Sequence, residues 1–356
     1  MKLLLAGGGT GGHLFPAVAL AQRLLASDAE GEVLFVGTAQ GIEARILPEL
    51  GLPLATVNIG GLVGKGLLRQ LAMGPKLLAS IWQSLRILKK FRPDVVVGVG
   101  GYASGPALVA AKLLGLSTLI HEQNAALGLT NRLLGRWVDR VCLSFDETPC
   151  ALSAGRTVVT GNPLRLGMDD CPPLANGEPR LLVFGGSRGA RAINQAVTTM
   201  LPHLERFQGR LKIRHQTGAE DLDEVRAGYL AAGWDAAGVV PFIDDMSAAY
   251  AESHLILCRA GATTLAELTA CGRPAILIPY PHAAADHQTT NAQALAARGA
   301  ALMLPQQEMT PEVLAQLVGD LLENRERLLD MAGAAWALGK KGAAERILDE
   351  CRAIVR

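Results

Sequence analysis

Four short, continuous apolar runs punctuate the chain: Leu3–Ala6, Val95–Val99, Leu181–Phe184 and Leu255–Leu257. Unbroken runs of this length, alternating with helical patterns, predict strands of parallel sheets covered on both faces. Each run gives way to small residues. The first leads into Gly7-Gly8-Gly9-Thr10-Gly11-Gly12-His13, and the second into Gly100-Gly101-Tyr102-Ala103-Ser104-Gly105-Pro106. The third leads into Gly185-Gly186-Ser187-Arg188-Gly189-Ala190, and the fourth, through Cys258-Arg259-Ala260, into Gly261-Ala262-Thr263-Thr264. Gly7 and Gly185 lie 178 residues apart, half of the 356-residue length. The repeat predicts an α/β protein of two Rossmann-like domains with parallel sheets facing across a cleft, 1–162 and 163–340. A linker is expected near Gly161-Asn162-Pro163, with a softer Pro- and Gly-containing stretch after it.

The loops bring candidate chemistry. Without Cβ atoms the backbone can approach a ligand, and the first N–H groups of the next helix point at it. Together with the helix dipole these make an anion site, most often for phosphate. One such loop could be a packing turn. Four on one rim, beyond the carboxyl ends of parallel strands where ligands bind, favour a phosphorylated ligand in each domain.

Composition narrows the function. Lys plus Arg number 34 against 33 Asp plus Glu, and aromatics are 4%, which argues against a nucleic-acid partner. The six cysteines show no zinc spacing and are expected to be buried and reduced. The apolar start stops at Gly7, too short for a signal peptide, and Val95–Ala111 reads as strand, turn and helix. A soluble cytoplasmic protein is expected.

Three motif matches carry less. Gly7-x-Gly9-x-x-Gly12 fits the dinucleotide fingerprint, but Val33–Val36 ends in Gly37-Thr38 without the ribose-binding carboxylate. Gly185-x-Ser187-x-Gly189 fits a nucleophile elbow, with His254, His282 and His287 available to complete a serine hydrolase. Asp221-Leu222-Asp223 resembles a metal-binding pair but lies in a charged helical stretch, where a solvated face is expected; no metal site and no cofactor are predicted.

Several segments in fixed order resemble one family. Gly8–Ala17, Gly100–Pro106 and His121-Glu122-Gln123-Asn124 are similar to its first domain. Gly161-Asn162-Pro163-Leu164-Arg165, Gly185–Ala190, Phe242-Ile243-Asp244-Asp245-Met246 and Arg259–Glu267 are similar to its second. This is glycosyltransferase family 28, the UDP-N-acetylglucosamine-dependent transferases of peptidoglycan synthesis. The resemblance implies a GT-B fold and an inverting, metal-independent transfer of N-acetylglucosamine. The sugar passes from UDP-N-acetylglucosamine to the muramoyl 4-hydroxyl of a lipid-linked acceptor, lipid I. It also implies that the C-terminal helix, about 341–356, packs back on the first domain. Partners among cell-wall or division proteins fit the same picture.

Roles follow residue by residue. The resemblance implies that Glu267 holds the ribose hydroxyls and that Ile243 holds uracil through its backbone. Thr264-x-x-Glu267 also reads as a capping box, a purely structural alternative. Asp244 and Asp245 are expected to cap the next helix. Ser187 would donate to a donor phosphate, with Arg165 supplying charge. Ala262, Thr263, Thr264, Leu265 and Ala266 would offer helix-start N–H groups, and Gln288 would read sugar hydroxyls. Arg188 and Thr289 depart from the family pattern. Thr10, Gly11, Gly12 and Asn124 would close over the donor, while Gly101, Tyr102 and Ser104 would line the acceptor diphosphate. His13 is the candidate base, since the dipole at a helix N-terminus disfavours an imidazolium. A solvent-facing or phosphate-binding histidine is the alternative, and Glu122 is the reserve base. A serine hydrolase using Ser187, or a non-catalytic nucleotide-sugar or membrane-surface binder, stays open as a different class.

The near-zero net charge hides an asymmetry. Gly51–Pro93 holds seven basic residues and no acidic one, leaving 27 basic against 33 acidic elsewhere. Leu77, Leu78, Ile81, Trp82, Leu85 and Leu88 fall at helical spacing there, beside Lys76, Arg86, Lys89 and Lys90. A core helix with a solvated basic face fits the pattern alone. A lipid-linked acceptor favours reversible docking on the anionic cytoplasmic face of the inner membrane.

Overall fold

The computed structural model describes all residues except 60–72, 147, 149–153, 166, 175, 187–188 and 284–285. The chain forms two compact units. Met1–Arg165 and Gly342–Arg356 make the first, and Leu166–Lys341 the second.

The first unit carries a parallel sheet of seven strands. These are β1 (Lys2–Ala6), β2 (Glu32–Gly37), β3 (Leu54–Thr56), β4 (Val95–Gly98), β5 (Ser117–Glu122), β6 (Arg140–Leu143) and β7 (Thr157–Val159). Their order is β3-β2-β1-β4-β5-β6-β7. In register, Leu4 pairs with Leu34 on one side and Val96 on the other. Successive side chains of a strand face opposite ways, so each apolar run serves two cores. Leu3, Leu5, Val95 and Val97 pack with Leu14, Leu20 and Leu24 of helix Gly11–Ser27 and with Ile347 and Leu348 of helix Ala343–Ile354. Leu4, Ala6 and Val96 pack with Ala107, Leu108 and Leu88. Each Leu or Val buried in this way stabilises the fold by about 1.5–3 kcal/mol. The C-terminal helix is held further by Arg140–Glu350 at 2.8 Å and by the Ser117 hydroxyl donating to the Ile354 carbonyl.

The second unit repeats the plan with six parallel strands. They are β8 (Arg180–Phe184), β9 (Lys212–Gln216), β10 (Val239–Val240), β11 (Leu255–Cys258), β12 (Ala275–Leu277) and β13 (Ala301–Met303). The order is β10-β9-β8-β11-β12-β13, and Val183 pairs with Leu257. The chain direction across each sheet reverses once, between β1 and β4 and again between β8 and β11. All four glycine loops leave the strands that flank these two switch points, where open α/β sheets bind ligands. The five described cysteines are free and buried. Among the described residues no helix is long and apolar enough to cross a membrane.

Candidate active site

In the first unit the loops after β1 and β4 interlock backbone to backbone. Gly101 has φ +80°, and a Cβ there would collide with the Gly8 backbone. Thr10 is the N-cap of helix Gly11–Ser27, which places Gly11, Gly12 and His13 in its first turn. Gly100, at φ +92°, lies against the His13 ring; a Cβ would come within 2.9 Å of Cε1. The loops therefore need glycine both to meet each other and to admit the imidazole. Tyr102 is 46% exposed, whereas Ser104, the first residue of helix Ser104–Leu113, is buried with its hydroxyl beside Gly98. Any contact of Ser104 with an anion thus falls to its backbone N–H.

Glu43 is the residue that sequence reasoning missed here. It starts helix Glu43–Glu49 and is 1% exposed. Its carboxylate accepts hydrogen bonds from Gly9 N–H (2.8 Å), Thr38 N–H (2.8 Å) and Thr38 Oγ–H (2.9 Å). A Cβ on Gly8, Gly37 or Gly41 would strike this side chain. Burial opposes its ionisation, but the donors from Gly9 and Thr38 hold its pKa below the usual carboxyl value. Gly37-Thr38, which lacked a ribose-binding acid, is in fact part of a clamp on the first loop.

At the end of β5, adjacent residues divide their tasks. His121 and Gln123 point the same way, and Gln123 Oε1 lies 3.1 Å from His13 Nδ1. Glu122 points the other way and accepts from Asn124 N–H and Nδ2, Gly128 N–H and Asn131 Nδ2, at 2.9–3.2 Å. The reserve base is thus occupied in holding the turn after β5, and Asn124 is turned towards it. Arg165 lies in the first unit, its guanidinium 5.1 Å from the Phe15 ring centroid.

In the second unit, Ser187 and Arg188 lie outside the described residues. The described residues on either side of them are tied to the rest of the unit. Gly189, at φ +76°, passes so close to the Thr217 carbonyl that no Cβ would fit. Gln216 bridges, its Nε2 donating to the Gly186 carbonyl and its Oε1 accepting from Ile243 N–H. The Ile243 N–H is thereby already donated. Beneath the loop runs a buried polar chain. Asn194 Nδ2 donates to the Thr217 carbonyl and to Asp221, and its Oδ1 lies 3.1 Å from His215 Nε2. His215 Nδ1 meets Tyr229 Oη at 3.1 Å, and burial pushes the His215 pKa down to about 3. Asp221 pairs with Arg191 at 2.7 Å and is 7% exposed. It is therefore not on a solvated face as its sequence neighbourhood suggested, because Arg191 and Asn194 reach it from the preceding helix, Arg191–Met200.

Gly261 caps helix Ala262–Ala270, so Ala262, Thr263 and Thr264 form its first turn, with Leu265 and Ala266 after them. Glu267 falls one turn later than the sequence suggested and Thr264 is not the cap, so the capping box does not form. Instead Glu267 is 1% exposed and accepts from Tyr250 Oη at 3.0 Å. Asp245 does cap its helix, accepting from Ala248 N–H. Gln288 Oε1 accepts from Tyr280 N–H.

The second class of function finds no support. His254 takes a hydrogen bond from Arg180 N–H, at the opposite end of β8 from the Ser187 loop. His282 packs edge-on against Tyr280.

Known proteins agree with this architecture. The model of the glycosyltransferase family 28 N-terminal domain matches residues 3–143, and that of its C-terminal domain matches 180–347. A relative from Syntrophotalea carbinolica is 66% identical over 352 residues, 99% of this chain and 98% of its own length. It is named a UDP-N-acetylglucosamine–N-acetylmuramyl-(pentapeptide) pyrophosphoryl-undecaprenol N-acetylglucosamine transferase. A protein of the same name from Syntrophus aciditrophicus is 49% identical over all of this chain and 99% of its own. The crystal structure of Acinetobacter baumannii MurG superposes with a TM-score of 0.81 at 36% identity, covering 99% of each chain. Both halves matched in order, at these identities and over nearly the full length, place the chain in glycosyltransferase family 28.

Proposed function

We propose that the protein transfers N-acetylglucosamine from UDP-N-acetylglucosamine to the muramoyl 4-hydroxyl of undecaprenyl-diphospho-muramoylpentapeptide, with inversion at the anomeric carbon. The carrying observation is the placement of a glycine loop and helix start at each sheet's switch point. Donor and acceptor each present a diphosphate, and each unit offers a pair of such loops beside its switch point. His13 takes the proton of the 4-hydroxyl as its oxygen bonds to the anomeric carbon. The bond from that carbon to the diphosphate oxygen breaks, and UDP leaves with the electron pair. Helix-start N–H groups of Ala262, Thr263 and Thr264, with Ser187, stabilise the leaving charge, whereas Leu265 N–H is already given to the Gly261 carbonyl. Glu267 holds the ribose, the Ile243 carbonyl the uracil N–H, and Gln288 the sugar. Gly101, Tyr102 and Ser104 belong to the surroundings of the acceptor diphosphate.

Incubation with UDP-N-acetylglucosamine and a lipid I analogue, EDTA present, should yield the β-linked disaccharide. No product under these conditions refutes the reading. His13→Ala should retain UDP binding and lose kcat by roughly 10²–10⁴-fold. A kcat near that of the wild type removes His13 as the base.

Docking at a membrane surface is part of the same reading. Helix Met73–Phe91 turns Ile81, Leu85 and Leu88 to the core but leaves Leu77, Leu78 and Trp82 exposed, at 41%, 69% and 52%. Arg86 stacks over Trp82 at 3.4 Å, and Lys76, Lys89 and Lys90 are exposed beside them. Apolar side chains ringed by cations suit an anionic bilayer surface. Neutralising Lys89 and Lys90 should weaken binding to anionic liposomes. Binding that is unchanged and insensitive to salt counts against the proposal.

A further inference from the structure

The hydrogen bonds behind His13 form a chain whose direction is fixed at its far end. His121 Nε2 lies 3.1 Å from the Gly161 carbonyl, which can only accept, so Nε2 carries the proton. The Ser144 hydroxyl, 3.3 Å from the same nitrogen, already donates to the Glu122 carbonyl and is a second acceptor there. Burial holds the His121 pKa down to about 4, so the ring is neutral at neutral pH and its Nδ1 keeps a lone pair.

The next link is oriented by the same logic. Gln123 Nε2 lies 3.1 Å from that Nδ1 and 3.3 Å from the His121 carbonyl oxygen. A flipped amide would set its oxygen against a carbonyl and a lone pair, so the –NH2 end must face His121. The Gln123 Oε1 then faces His13 Nδ1 at 3.1 Å as an acceptor only. His13 must donate.

We propose that Gln123 and His121 are positioning residues that lock His13 in one tautomer, with the proton on Nδ1 and the lone pair on Nε2. The relay runs from the Gly161 carbonyl through two neutral side chains and needs no carboxylate. A Cβ at position 100 would strike the Cε1–Nδ1 edge of the ring, so glycine there leaves room for the locked imidazole. Period-two alternation explains the local sequence. In His121-Glu122-Gln123 the first and third residues serve the relay, while the second holds the following turn. The proposal rests on His13 as the base, because only then does the free Nε2 matter to catalysis; a wrong tautomer puts the lone pair where the acceptor hydroxyl is not.

The test is long-range proton–nitrogen NMR of the ¹⁵N-histidine-labelled full chain, with the His13 signals assigned by their loss in His13→Asn. In the wild type His13 should show protonated Nδ1 and bare Nε2. In Gln123→Met, which keeps the volume and removes the amide's hydrogen bonds to His13 and His121, the Nε2-protonated form should appear. Its kcat should fall about 10–10²-fold, with KM for UDP-N-acetylglucosamine changing much less, as for a group that aids a general base without touching substrate. Nε2-protonated His13 in the wild type overturns the proposal without any variant having to fold. An unchanged tautomer in folded Gln123→Met also overturns it. Full kcat in His13→Asn instead removes the base and leaves the tautomer lock to be judged by the spectra alone.

Discussion

Glu43→Gln isolates one electrostatic detail of the first glycine loop. In the native clamp one carboxylate oxygen takes the N–H and hydroxyl of Thr38, and the other takes Gly9 N–H. A glutamine has the same shape but one –NH2 end. Whichever way the amide turns, that end faces a donor, so at least one buried N–H is left without an acceptor. The cost is about 1–3 kcal/mol. For a unit of this size each kcal/mol moves Tm by about 2–4 °C, so the melting point should fall by about 2–12 °C. Differential scanning calorimetry at neutral pH measures it, with kcat/KM for sugar transfer followed in parallel. Glu43→Ala, which strands all three donors and opens a cavity, should cost more than Glu43→Gln.

The penalty should also depend on pH in a defined sense. The folded pKa of Glu43 lies below its ordinary value of 4.5. A depressed carboxyl contributes stability that is fully present above the unfolded value and is lost as pH falls through the folded one. The gap between wild type and Glu43→Gln should therefore shrink under acid conditions. A neutral-pH difference below about 1 °C would show that the loop does not need the carboxylate, and the clamp argument would fail.

Other expectations follow from the same contacts. Glu267→Ala should weaken UDP binding in calorimetric titration by more than Tyr250→Phe, because the latter removes only the Tyr250 Oη hydrogen bond to that carboxylate; equal effects would point to a packing role for Glu267. Asn194→Ala cuts the chain from His215 to Asp221 and strands buried partners, so it should cost about 1–3 kcal/mol in urea denaturation. A neutral result would mean that the buried chain is not holding the loop. His121 and His215 have folded pKa values of about 4 and about 3, so the unfolded chain binds more protons below about pH 6.5. Stability should fall as pH drops from there, and His215→Gln should flatten that slope.

Much of the architecture is written along the chain. Apolar runs too uniform for a half-wet sheet, each ending in glycines, predict parallel strands and the loops that follow them, because burial on both faces and close backbone approach each demand particular residues. Strands Arg180–Phe184 and Leu255–Cys258 differ from the sequence expectation by only one residue at an end. The same local logic named Asp244 and Asp245 as caps, of which Asp245 caps the helix.

Tertiary structure alone decided what the polar residues do. Asp221 reads as a surface acid and nothing along the chain singles out Glu43, since a carboxylate's burial depends on donors supplied from elsewhere: Arg191 and Asn194 for the first, Gly9 and Thr38 for the second. Thr264 and Glu267 have capping-box spacing, but the helix begins at Ala262 and Glu267 turns to Tyr250, 17 residues away. Gln123 sits 110 residues from His13, and no spacing rule could couple them. Apolar burial follows local periodicity and is legible in one dimension. Hydrogen-bond partners are chosen by direction and distance across the fold, and those exist only once the sheets have formed.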